Sequence, residues 1–170
     1  MKKNTKKAPV SKAGRPSPVS TNGKSGSSSG HSSRYQLSIF LLRLTLGWLF
    51  LYSGITKILD PEWTSAGFLA NAKTFPAMFQ WFSSAANISW VDFLNVWGQT
   101  LIGLGLIFGA FTRLASTFGI ILMVLYYLPA LEFPYVDNGY LVDNHVIYAL
   151  VFAVLATGKA GHYWGLDKYL

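Results

Sequence analysis

Four apolar runs constrain this chain more than any other feature. The first, residues 37–59, holds 23 residues and contains only two charges, Arg43 and Lys57. About 20 such residues suffice to span the hydrocarbon core of a bilayer. The second run covers 91–111, the third 114–131 and the fourth 141–158. The fourth is the weakest, because its unbroken apolar stretch, 146–157, is short enough for a buried soluble helix. Beside three stronger runs it reads as a fourth span, extended toward Trp164. Only 12% of the residues are charged, against about 25% in an ordinary soluble domain, and mean hydropathy is +0.33. The expected fold is therefore all-α, a polytopic membrane four-helix bundle.

The connections differ in kind. Runs two and three meet tightly around Thr112 and Arg113, which predicts a helical hairpin. Runs three and four are joined by EFPYVDNGYL, with Pro134 and Asn138-Gly139 as turn formers. Between runs one and two lie residues 60–90, rich in Trp and Phe. That composition predicts one or two helices lying in the membrane interface.

The net charge of +7 sits in one place. Residues 1–34 carry eight bases and no acid, and the remainder is close to neutral. This stretch is rich in Ser, Gly, Pro and Lys, so residues 1–34 are expected to form a disordered basic tail ahead of a membrane domain at 35–170. It has no aromatic residue before Tyr35 on which bases could stack, so nucleic acid is not the expected partner. Anionic membrane lipid is, with simple setting of topology as the alternative. The tail does not read as a secretory signal, because its polar stretch is too long and its apolar run too extended.

Placing that tail inside leaves Arg113, Lys159 and Lys168 on the same side. Lys57 and Lys73 fall on the other, with six of the seven acids. The positive-inside rule then puts both termini in the cytoplasm.

Polar groups inside the runs mark the candidate site. Positions 43, 47, 50, 54 and 57 share one helical face, which sets Arg43 and Lys57 on the side of two glycines that permit close helix approach. Both cations either face the bundle or snorkel to headgroups. Asp92, Asn95, Gln99 and Gly103 form a stripe on the second run, where amides serve as ligand contacts or as interhelical glue. The fourth run opens with Asp143-Asn144-His145, followed by Tyr148. His145 has no histidine or carboxylate partner at metal-ligand spacing, so it is a candidate proton carrier or a plain interfacial residue. Lys57, Asp92, Asn95, Gln99, Glu132, Asn144 and His145 are expected at similar depth in the outer half. Tyr52, Trp97, Tyr126 and Tyr127 are expected to line the same pocket. A pocket of this kind suits a polar head on an apolar ligand, with a quinone as the obvious case.

Three stretches carry a family resemblance. They are RLTLGWLFLYSGITKILDP from Arg43, GQTLIGLGLIFGAFTR from Gly98, and NHVIYALVFAVLATG from Asn144, followed by YWGLD from Tyr163. Together, over 37–168, they resemble the DoxX family of small four-helix membrane proteins of prokaryotic cytoplasmic membranes. That family includes membrane subunits of thiosulfate:quinone oxidoreductase. The resemblance implies a quinone-linked oxidoreductase subunit with quinone as electron acceptor and a second membrane or peripheral redox subunit as partner. In that reading His145 and Asp92 move protons, while Lys57, Asn95, Gln99, Asn144 and Arg43 hold substrate. The alternative is a non-catalytic membrane partner or scaffold of a redox or stress-response complex. A transporter is disfavoured by the lack of an inverted repeat. The sequence carries no flavin, haem or iron–sulfur motif, and with no cysteine it excludes disulfide and thiolate chemistry.

Overall fold

The computed structural model describes residues 28–136 and 140–170. Among these it is all-helical, apart from one isolated bridge between Glu132 and Tyr135. Six α-helices follow in order: α1 Ser28–Leu59, α2 Ala66–Ala70, α3 Pro76–Ser83, α4 Ile88–Phe108, α5 Thr112–Ala130 and α6 Asn144–Thr157. Two 3₁₀ turns, Ala160–His162 and Leu166–Lys168, complete the chain.

Three of the helical segments are long and apolar enough to cross a membrane: Ser33–Leu59, Ile88–Phe108 and Thr112–Ala130. Helix α6 has 14 residues, about 21 Å of rise, and is shorter than a bilayer core of about 30 Å. Its expected extension toward Trp164 does not form. Gly158 ends the helix, and Lys159 and Trp164 take positive φ in the turns that follow. The expected tail falls mostly outside the described residues, and α1 begins at Ser28, inside the Ser/Gly run. Asn138-Gly139 also lies outside them. In the 60–90 segment, α2 and α3 provide two short helices.

Packing follows the small residues. Helix α1 lies mainly against α4, α5 against both α4 and α6, and α1 touches α6. A Cβ on Gly54 would run into Thr100, and one on Gly103 would run into the Leu51 backbone. Those two glycines let the α1 and α4 backbones touch. Phe50 of α1 meets Phe152 of α6 edge to face, with centroids 4.9 Å apart, in a core that also holds Leu106 and Leu155. The face of α1 bearing Arg43, Gly47, Phe50 and Gly54 is buried, as its periodicity predicts. Trp48, Leu101, Phe118, Ile121 and Leu150 point outward and are exposed. Such a surface fits lipid rather than water.

The two ends of the molecule are built differently. At one end α4 stops at Gly109 in left-handed conformation. Phe111 precedes α5 without a side-chain cap of its own. The Asp167 carboxylate supplies one, accepting hydrogen bonds from the amides of Phe111 and Thr112. At the other end the α2–α3 segment closes over α4 and α5, with Lys73 N bonded to Pro129 O at 2.9 Å.

Candidate functional site

The end beneath α2 and α3 gathers most of the polar residues singled out in the sequence. Lys57, near the C-terminus of α1, points its ammonium at α4 and α5. Nζ lies 3.0 Å from Asn95 Oδ1, 2.8 Å from Gln99 Oε1 and 3.1 Å from the Tyr126 hydroxyl. Gln99 Nε2 donates to Tyr126 OH at 3.0 Å, and that hydroxyl donates to Asn95 Oδ1 at 2.7 Å. Ser53 Oγ donates to Gln99 Oε1 at 3.1 Å. The donors and acceptors balance. The three ammonium protons, one amide proton and two hydroxyl protons fill both lone-pair sites on each of the Asn95, Gln99 and Tyr126 oxygens. The cation is thus held by neutral oxygens, and the Trp63 ring lies 4.5 Å from it, within cation–π range. The Nδ2 amide of Asn95 takes no part in this network.

Asp92, the expected second proton carrier, stands behind this group. Its carboxylate accepts from Thr64 Oγ1, Ser65 N and Ser65 Oγ. That arrangement ties the chain ahead of α2 to α4, and so holds Trp63 over Lys57.

His145 reaches the same space from α6. Its ring lies edge-on to Tyr126, with centroids 5.8 Å apart. Asp143 orients it. One carboxylate oxygen caps the helix by accepting from the amides of His145 and Val146, and the other pairs with His145 Nδ1. Desolvation acts to raise the Asp143 carboxyl, but the hydrogen bonds from His145 and Val146 outweigh it and hold the carboxyl below its ordinary value. With Nδ1 committed to the carboxylate, Nε2 is the nitrogen left for chemistry.

Between these groups opens a cavity of about 280 Å³ bounded by Lys57, Trp63, Phe68, Asn95, Tyr126 and His145, with Thr64 and Ser65 at its edge. A second cavity, about 170 Å³, adjoins it among α2, α3, α4 and α5 and is lined almost wholly by apolar side chains. The two share Ser65, Phe68, Asn95 and Tyr126 as walls.

Other expected members lie elsewhere. Arg43 is fully buried toward the opposite end, where it donates to Ala160 O at 2.9 Å and Trp164 O at 3.2 Å. Fourteen residues of helix, about 21 Å, separate it from Lys57, so it does not share a ligand with the Lys57 group. Asn144 is exposed on the first turn of α6 and borders neither cavity. Glu132 is exposed and lies 3.9 Å from Lys73. Tyr52 and Trp97 face outward, and Tyr127 donates to Leu141 O. Trp63, Ser53 and Asp143 belong to the site without having been anticipated there. Ser53 and Asp143 had local signals: Ser53 lies one turn before Lys57 on the same helical face, and Asp143 is a helix N-cap two residues before His145.

The DoxX family model matches residues 38–130, which takes in α1 from Ser38 onward, continues through α5 and includes Lys57, Asn95, Gln99 and Tyr126. No curated protein and no solved structure matches the chain.

Proposed function

Since the chain belongs to the DoxX family and is a membrane protein with three helices fit to span a bilayer, we propose that it is the quinone-holding membrane subunit of an oxidoreductase of the thiosulfate:quinone type. In this reading α6 completes a four-helix bundle in a prokaryotic cytoplasmic membrane. Both termini lie in the cytoplasm, and α2 and α3 lie in the outer interface.

The observation that carries the reading is the polar cavity beside Lys57 sharing walls with an apolar one. An amphipathic quinone matches that pair. Its ring carbonyls face the Lys57 charge and the free Asn95 amide, and His145 Nε2 delivers protons. Two thiosulfate anions join through a new S–S bond to give tetrathionate and release two electrons. The quinone takes up those two electrons with two protons and becomes the quinol. The electrons arrive from a second redox subunit. Asp92 and Asp143 position Trp63 and His145 respectively. Washed membranes containing the chain and its co-expressed partner test the reading. Thiosulfate-dependent quinone reduction should exceed an empty-vector control and fall sharply in His145→Ala. A rate equal to the control overturns it.

A second reading, a non-catalytic membrane partner, is favoured by one observation. The Lys57 network is already closed on itself and needs no ligand to satisfy it. Partner capture should then survive both Lys57→Ala and His145→Ala.

A further inference from the structure

We propose that the apolar cavity beneath α3 is the slot for the ring-proximal part of the quinone tail, reached sideways from the membrane between α4 and α5. This rests on the quinone reading of the polar cavity and adds the place, direction and route of the tail.

The observation is the abrupt change of lining across a shared wall. On one side stand Lys57, Asn95 and His145. On the other stand Phe79, Phe82, Leu94, Leu122 and Leu125. Phe68 and Tyr126 meet edge to face at 6.2 Å and form the threshold between them. Asn95 borders both spaces. Its Oδ1 is fully used by Lys57 and Tyr126, so its Nδ2 is the donor available to a ring carbonyl at that threshold. Dry apolar cavities of about 150 Å³ accept a benzene-sized group. The slot, at about 170 Å³, therefore takes roughly the first unit of a tail and not its whole length.

The rest of the tail must leave the protein, and the lining shows where. Buried Phe79 and Leu69 form the inner wall, whereas Leu94 is 58% exposed and Leu125 and Trp90 are each 43% exposed. These three stand on α4 and α5 at the depth of the slot, so its open side faces lipid. Lipid is as apolar as the slot, so the tail gains little from leaving it. The slot's effect is to fix where the ring sits and which way it points.

The test uses the full chain in phosphatidylcholine nanodiscs. A benzoquinone with a decyl tail carries a diazirine near the ring end of that tail. A fatty acid carries the same group at the same distance from its carboxylate. After irradiation, crosslinks are mapped by mass spectrometry. Quenching of tryptophan fluorescence by a tailless benzoquinone reports ring binding separately. The expected result is quinone crosslinks on the α3, α4 and α5 walls, reduced about tenfold by Leu122→Trp, the low end of what a mismatch of one methylene in an apolar pocket gives. The milder Leu125→Phe at the open side should act in the same direction. Leu150→Trp, on the outward face of α6, should not. Equal labelling of the slot by fatty acid and quinone keeps the slot and overturns the quinone reading. Saturable quenching with crosslinks spread over outward residues such as Phe118 and Leu150 overturns the slot and keeps the quinone reading. Spread crosslinks with no saturable quenching overturn both.

Discussion

Lys57 Nζ stands 2.8 Å from Gln99 Oε1, an ammonium facing a neutral amide where a carboxylate would be the usual partner. The nearest acid on α4, Asp92, is taken up by Thr64 and Ser65. The positive charge is therefore held in place without being cancelled, which is what a site for an electron-rich oxygen requires.

The two ends of this contact should respond unequally to mutation. Gln99→Leu removes an acceptor and leaves a part-buried charge short of a partner. Lys57→Met leaves neutral groups that can still pair among themselves. The Gln99 variant should therefore be the less stable by about 1–2 kcal/mol. The double variant should cost less than the sum of the single ones. Thermal unfolding in one detergent checks both statements.

Arg43 should behave as a structural tie, not as a ligand residue. Its two carbonyl partners, Ala160 and Trp164, lie in the segment after α6. Arg43→Met should release that segment, so that limited proteolysis cuts beyond Gly158 much sooner than in the wild type. Binding of the proposed quinone at the other end should stay within about twofold, as expected of independent sites. Arg43→Lys should resemble Arg43→Met, because a single ammonium lacks the fork that reaches both carbonyls.

Acid should loosen the start of α6 before the rest of the helix. The Asp143 carboxyl is held below its ordinary value, so its contribution is complete above the unfolded-state value of about 3.9. That contribution is lost as pH falls through the lower folded value. Protection of the His145 and Val146 amides against hydrogen exchange should therefore fall only below about pH 4. Asp143→Asn keeps a good cap but removes the titrating group, and should abolish that acid dependence.

Two glycines on α4 predict opposite outcomes. A Cβ on Gly103 meets the α1 backbone, while one on Gly98 meets nothing within 4 Å. Gly103→Ala should part α1 from α4 and destabilise by about 1–3 kcal/mol, as overpacking with backbone displacement does. Gly98→Ala should be neutral or stabilising by up to about 1 kcal/mol through helix propensity. Unfolding midpoints of the two variants against wild type decide this.

Much of the site was legible because helical periodicity is rigid. The stripes Gly47–Phe50–Gly54–Lys57 and Asn95–Gln99–Gly103 each fall on a face that turns inward. The same periodicity excludes Tyr52 and Trp97 from the pocket. Tyr52 sits five residues from Lys57, and Trp97 two from Asn95, each about 140–160° around its helix. Aromatic type alone suggests the lining, and the helical angle turns both side chains outward. Trp63 could not be placed that way. It lies between helices, and its position depends on Asp92 gripping Thr64 and Ser65 across 27 or 28 residues of chain. The partners of Arg43 were illegible for a similar reason. They are backbone carbonyls more than 100 residues away, and carbonyls carry no sequence signal.

The cap on α5 has a consequence in time. Thr112 finds its acceptor on Asp167, 55 residues later in the chain. At a synthesis rate of roughly 5–20 residues per second, that interval lasts roughly 3–11 s. Once Ala130, the last residue of α5, has been added, the α4–α5 hairpin can form while the leading amides of α5 still lack that acceptor. Closure of this end of the molecule is thus a late event in its biogenesis, and a ribosome stalled shortly before Asp167 would display a nascent chain with its hairpin tip uncapped.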